Sequence, residues 1–187
     1  MSVKNIYIDD SNLAIGGKTL HNRQATMPCA FWNYKISVLY ANIMEQFHAN
    51  EYETGHLHFY GADLDRNPQL GFLRANGLAY GYDCPRNGRG REKEADVVLA
   101  IDMIGHATMW SDIGMPCDIA LVSGDGDFFP AVARALFFGS NVHVWSWRGS
   151  ISQKFVRLET SLNDYPLHGV GQFSIHYLDP HLQQLTS

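Results

Sequence analysis

Two carboxylates two positions apart, Asp125 and Asp127, stand where a short apolar run gives way to a helix-like segment. The surrounding stretch reads Cys117-Asp-Ile-Ala-Leu-Val-Ser-Gly-Asp-Gly-Asp-Phe-Phe. Residues 119–122 have the length and apolar character of a buried strand. Ser123-Gly124 breaks the run, and the segment from Pro130 to Phe138 reads as a helix ended by Gly139. In open α/β sheets, ligands bind outside the carboxyl ends of the strands. Taken alone, Asp127 reads as a plain helix N-cap and Asp125 as a turn former. The same context recurs, however. Asp9 ends the apolar run 3–8, and Asp96 lies in the first turns of a long helical segment beginning near residue 92. Lys93 is three residues before Asp96 and shares its helix face. Asp102 is six residues beyond Asp96, about 240° around the helix, and cannot share that face directly.

Four carboxylates in one cleft repel one another, at about 4 kcal/mol per pair for a 4 Å separation and an effective dielectric near 20. A divalent cation reverses the sign of that interaction. Oxygen-only ligands suit Mg²⁺ or Mn²⁺ better than zinc. The chemistry of such a site is activation of water and stabilisation of the charge developed at an attacked phosphate. Asn12 and Ser123 are short polar groups beside the acids, suited to orienting a carboxylate or a bound water. Lys93 would relieve the repulsion or contact phosphate. Arg86, Arg89 and Arg91 form a Gly-rich basic loop leading into the long helix, which could clamp a polyanionic backbone. The plain alternative for that loop is a solvated charge run.

The elements that would position these groups alternate along the chain. Strands are expected at 3–8, 56–60, 78–82, 119–122 and 141–147, with a last one at 173–178 at the sheet edge or pairing with a partner chain. Helices are expected at 32–48, 68–76, 92–109, 130–138 and 152–162. In the long helix Val97, Val98, Ile101 and Ile104 are read as facing inward. The polar segment holding Gly16, Gly17, Lys18, His21 and Arg23 reads as a long loop running to Pro28. Alternating strands and helices indicate an α/β fold with a mostly parallel sheet covered on both faces. The first and fourth strands are neighbours in the common doubly wound order, so Asp9 and the Asp125/Asp127 pair would meet at the switch point.

Other residues carry plainer readings. His56 and His58 alternate on a strand and lack an apparent third ligand for a metal. Asp63 and Asp65 suit a turn. Trp145 and Trp147 suit packing rather than base stacking. Cys84 and Cys117 have no positioned base that would make either a nucleophile. The chain has 187 residues, 45% apolar and 18% charged, with a net charge of −5. That is a globular composition for one domain, and nucleic-acid binding would need a local basic patch rather than bulk charge. Three widely spaced cysteines without a C-x-x-C pattern argue for reduced thiols and a cytoplasmic setting. No run approaches the ~20 apolar residues of a membrane span.

Three segments together resemble a known family: Ile6-Tyr-Ile-Asp-Asp-Ser-Asn-Leu, Lys93-Glu-Ala-Asp-Val-Val-Leu-Ala-Ile-Asp and Leu121-Val-Ser-Gly-Asp-Gly-Asp-Phe-Phe-Pro. They are similar to the three motifs of NYN-domain proteins, PIN-like nucleases that include the bacterial LabA-like branch. The resemblance implies a Rossmann-like three-layer α/β/α sandwich and one domain over 1–187, with a motif-bearing core at about 3–165 and an extension at 166–187. It implies a Mg²⁺- or Mn²⁺-dependent endoribonuclease acting on RNA. Asp9, Asp96, Asp125 and Asp127 would be its catalytic and metal-holding acids, supported by Asn12, Lys93, Ser123 and Asp102, with Arg86, Arg89 and Arg91 on the substrate. Asp10 departs from the family pattern, where a small residue is usual, and alternation should turn it away from Asp9. A non-catalytic RNA-binding scaffold is the alternative. A haloacid-dehalogenase-like phosphatase fits less well, because Ser11 occupies the place of its second Asp. The chain after Tyr165 and an exposed sheet edge allow a symmetric homodimer.

Overall fold

A computed structural model describes residues 2–50, 53–85, 94–164 and 169–186. Six strands form one sheet: β1 (Val3–Asp9), β2 (Gly55–Gly61), β3 (Ala79–Asp83), β4 (Cys117–Val122), β5 (Asn141–Ser146) and β6 (Phe173–Tyr177). Their spatial order is β3-β2-β1-β4-β5-β6, and every pairing is parallel. The helices are α1 (Asp10–Gln24), α2 (Ile36–Gln46), α3 (Pro68–Ala75), α4 (Ala95–Asp112), α5 (Phe129–Phe137), α6 (Gln153–Asp164) and the short α7 (Leu182–Leu185).

Strand alternation divides the core into two layers. On one face Ile6, Ile8, Leu57, Phe59, Ala120 and Val122 pack with Leu13 of α1, Ile36, Leu39 and Ile43 of α2, Leu70 of α3, and Leu182 and Leu185 of α7. On the other, Tyr7, Tyr60, Ile119, Leu121, Val142 and Val144 pack with Leu99 and Met103 of α4, Val132 and Leu136 of α5, and Phe155 of α6. The result is the expected three-layer α/β/α sandwich, and the sheet is wholly rather than mostly parallel. β6 closes one edge beside β5, and the segment after it returns to the first core through Leu178, Leu182 and Leu185.

Three expectations change. The segment read as a loop from Gly16 is helical to Gln24. Gly16 and Gly17 are there for space, because a methyl group on either would overlap the indole of Trp147 or Trp32. The helix expected from Trp32 starts at Ile36; Trp32 and Tyr34 are buried but precede it. In α4 the buried row is Ala95, Leu99, Met103 and Ala107, with Val98 and Ile104 half-buried, while Val97 and Ile101 point to solvent. This helix is apolar nearly all round, so its periodicity alone does not select the inner face.

Candidate functional site

The chain runs outward from β1 through β2 to β3, then jumps back across β1 to β4. The strand order therefore reverses between β1 and β4, where a doubly wound sheet opens a crevice. Ile8 is level with Val122, so Asp9 and Ser123 leave the sheet side by side. Asp9 is the N-cap of α1, its Oδ1 accepting from the Asn12 amide at 3.0 Å and from Ser11 Oγ at 3.1 Å. Ser123 Oγ donates to Asp9 Oδ2 at 3.0 Å and accepts from the Asp125 amide at 3.2 Å. Asn12 Oδ1 accepts from the Gly124 amide at 3.3 Å, tying α1 to the turn after β4. Gly124 admits no side chain, because a Cβ would strike Ser146 and the backbone of Ser150. Asp125 Oδ1 accepts from the Asp127 amide at 2.9 Å and caps a single 3-10 turn over Gly126–Phe128 that leads into α5.

Asp9, Asp96 and Asp125 line one cleft of about 410 Å³, together with Asn12, Gly16, Thr19, Arg23, Trp147, Ser150 and Asp179. Asp9 is buried, whereas Asp96 and Asp125 are exposed at its mouth. Burial, opposed by the three donors and reinforced by the charge of Asp96, pushes the Asp9 carboxyl up to about 6. A larger cleft of about 700 Å³ lies between α2, α3 and the start of β2. It is lined by Ile36, Leu57, Phe72, Leu73 and Leu78 among others and by no titratable group except Tyr40, whose hydroxyl accepts from the Gly55 amide. The acidic cleft is therefore the candidate on chemistry, not on size.

The remaining sequence candidates fall elsewhere. Asp127 is exposed and does not line the cleft. Asp102 accepts a 2.7 Å bond from the Tyr60 hydroxyl under α4, away from the acids. Asp10 is the first residue of α1 and not a strand residue, so strand alternation does not govern it; it accepts from the Tyr34 hydroxyl at 2.6 Å and lines a neighbouring depression rather than the acidic cleft. Lys93, Arg86, Arg89 and Arg91 lie outside the described residues. His58 stacks on Tyr7, and His56 is exposed. Asp63 and Asp65 form a turn and pair with Arg66 and Arg74. Trp145 and Trp147 are buried.

Sequence reasoning missed Arg23 and Asp179. With α1 read as a helix, Asn12, Gly16, Thr19 and Arg23 fall at i, i+4, i+7 and i+11 on one face, so the spacing carried the signal. Asp179 lies two residues beyond the end of β6, at the same rim of the sheet where Asp9 ends β1, and its Oδ2 accepts from the Arg148 amide at 2.7 Å. Lys154, in the first turn of α6, donates from Nζ to the Gly126 carbonyl at 3.0 Å and brings a cation to the 3-10 turn.

Among the described residues, no three His, Cys, Asp or Glu side chains lie close enough to enclose a metal ion. The donor chemistry nevertheless suits a hard, largely hydrated cation. Mg²⁺ is commonly held by one or two carboxylates while keeping several waters. Asp9 and Asp96 would supply two such carboxylates, and the charge of Asp96 is one of the causes that raise the Asp9 pKa.

A wholly parallel doubly wound sheet, with carboxylates after β1 and β4 and in the first turn of α4, defines a PIN-like α/β domain. Comparison with protein families matches residues 5–163 to the NYN domain, without singling out a branch. That is most of the chain, and the chain belongs to the NYN domain family of PIN-like nucleases. No curated protein and no solved structure matches it. No helix among the described residues is long and apolar enough to cross a membrane.

Proposed function

We propose that the chain is a metal-dependent ribonuclease that hydrolyses phosphodiester bonds within RNA. The reading is carried by the buried Asp9 carboxylate, which is oriented by three donors and shares its cleft with Asp96 and Asp125. Asp9 and Asp96 would hold a Mg²⁺ or Mn²⁺ ion. When bound, the ion supplies the positive charge that lowers the pKa of water and offsets charge developed on phosphate. Ser123, Ser11 and the Asn12 amide keep Asp9 in one orientation, so no reorganisation is needed as charge develops. Asp125, fixed through the Asp127 amide, gives the cleft mouth an acceptor for a proton of the attacking water. Arg23 offers a fork of donors matching phosphate oxygens. The basic run at Arg86, Arg89, Arg91 and Lys93, just before Asp96 in the sequence, would extend that contact along the strand.

The test is cleavage of end-labelled single-stranded RNA by the purified chain with Mn²⁺ or Mg²⁺. Wild type is expected to produce internal cuts. Asp9→Asn and Asp96→Asn are each expected to lose at least about 100-fold in rate, the scale of a group acting in the transition state. RNA left intact by a wild type that also binds no divalent cation by calorimetry defeats the proposal. Tight, metal-independent RNA binding without cleavage favours a non-catalytic RNA-binding role instead.

A further inference from the structure

Helix α4 carries an apolar ridge that nothing among the described residues covers. Val97, Ile101, Gly105, Met109 and, just past the helix end, Ile113 recur every fourth residue on the side opposite the buried row Ala95, Leu99, Met103 and Ala107. Val97 is 61% exposed, Ile101 62%, Met109 45% and Ile113 60%. A helix apolar on both faces is ordinarily a buried helix. The ridge residues carry no charge; Asp96 lines the cleft and Asp102 accepts from the Tyr60 hydroxyl, while the exposed Glu94 and Asp112 flank the ridge at its two ends.

We infer that this ridge is the interface of a two-fold dimer, packed against the same ridge of a second copy. Its composition is symmetric about its centre. Gly105 has larger apolar residues four and eight positions away on either side, and a Cβ at Gly105 would meet nothing within 4 Å among the described residues. Rows of i±4 residues interdigitate with their like at about −50°. A glycine at the crossing lets the two backbones approach, with Ile101 of one protomer beside Met109 of its partner. An isologous contact requires such a self-complementary surface. At the exposures given, the ridge leaves on the order of 400 Å² of apolar side chain per protomer in water, within the range of a monomer's largest apolar patch, which is often an interaction site. That is half of the ~800 Å² each partner gives to a standard interface, the rest being the polar rim. Because Asp96 sits in the first turn of α4, the dimer would hold two acidic clefts in fixed relation on either side of the contact.

Sedimentation equilibrium of the full chain between about 1 and 100 µM tests this. Wild type is expected to be a dimer at the upper end. Ile101→Lys and Gly105→Gln are each expected to weaken association at least about 100-fold with the far-ultraviolet spectrum unchanged, since both positions face solvent in one chain. In a Cys29→Ser background, Gly105→Cys is expected to form an intermolecular disulfide in mild oxidant faster than Thr160→Cys, which lies on the exposed side of α6. A wild type monomeric throughout overturns the inference. So does a dimer that both ridge variants leave intact, a Gly105→Cys chain that cross-links no faster than the control, or a monomer whose ridge binds a different protein instead.

Discussion

Asp9 accepts from Ser11, Ser123 and the Asn12 amide, yet burial beside the charge of Asp96 still raises its pKa to about 6 from 3.8. The folded chain therefore binds the Asp9 proton more tightly than the unfolded chain does. Asp9 favours the fold below pH 4 and opposes it increasingly as pH rises through 6. A shift of this size corresponds to about 3 kcal/mol as an upper bound. Asp9→Asn keeps an N-cap of equal quality and removes the buried charge, so it is expected to stabilise the chain at pH 7.5 by about 1–3 kcal/mol while abolishing cleavage. Mn²⁺ should raise the melting temperature of wild type by binding the folded state, and Asp9→Asn should lose that rise. A variant less stable than wild type, with the cation effect intact, would mark Asp9 as a helix cap only. Much of this site was legible in the sequence, because Asp9, Ser123 and Asp125 end short apolar runs at punctuated positions. Asp127 was not separable from them. Whether a carboxylate two residues on turns into the cleft or toward solvent depends on the 3-10 turn, which the spacing does not encode.

At the scale of elements, glycine in a helix had opposite meanings at two places. Gly16 and Gly17 led the sequence reading to a loop, because glycine weakens an isolated helix by about 1 kcal/mol relative to alanine. In the fold they lie in α1 against Trp147 and Trp32, whose indoles fill the space of the missing side chains. No local signal announces the fit of Gly16 under Trp147, far along the chain, or of Gly17 under Trp32 beyond the helix end, so that error follows from tertiary contacts. Gly105 lies in α4 with open space around it. Gly16→Ala is thus expected to lower the melting temperature, by an overpacking cost of about 1–3 kcal/mol. Gly105→Ala is expected to raise the intrinsic stability of the chain by up to about 1 kcal/mol, or a few degrees, when measured dilute enough to be monomeric. Equal shifts of the same sign would show that propensity alone governs both sites. The strands were easier to read than the helices. Their apolar runs are bounded by Gly, Asp and Ser, whereas α4 is apolar on every side and hid which face it buries.

Across the whole molecule, half-buried histidines held neutral on both faces of the sheet contribute to the acid limb of stability. His58 stacks on Tyr7 and lies beside His106 and Tyr80; burial first, then the neighbouring His106 and His56, push it down to about 4. Its Nε2 is buried without a hydrogen-bond partner among the described residues. His176 stacks on Trp145, with its Nε2 3.1 Å from His143 Nδ1 and 2.9 Å from Ser174 Oγ, and burial likewise pushes it to about 4. His106 and His143 are lowered by burial as well. Each of these groups binds a proton in the unfolded chain near pH 6.5 and resists it in the fold. The unfolded state therefore gains protons first as pH falls, and stability drops between about 6.5 and 4. Asp9 works the other way from about 6 down to 3.8, where its tighter folded-state proton favours the fold, but it is one group against four. The melting temperature is thus expected to be flat between about pH 7 and 8 and to fall steadily from about 6.5 to 4.5. His58→Phe keeps the ring stacked on Tyr7 and removes one titrating group, so it is expected to match wild type at pH 7.5 and to lose less stability by pH 4.5. A variant with an acid limb as steep as wild type would move the origin of that limb away from the His58 face of the sheet.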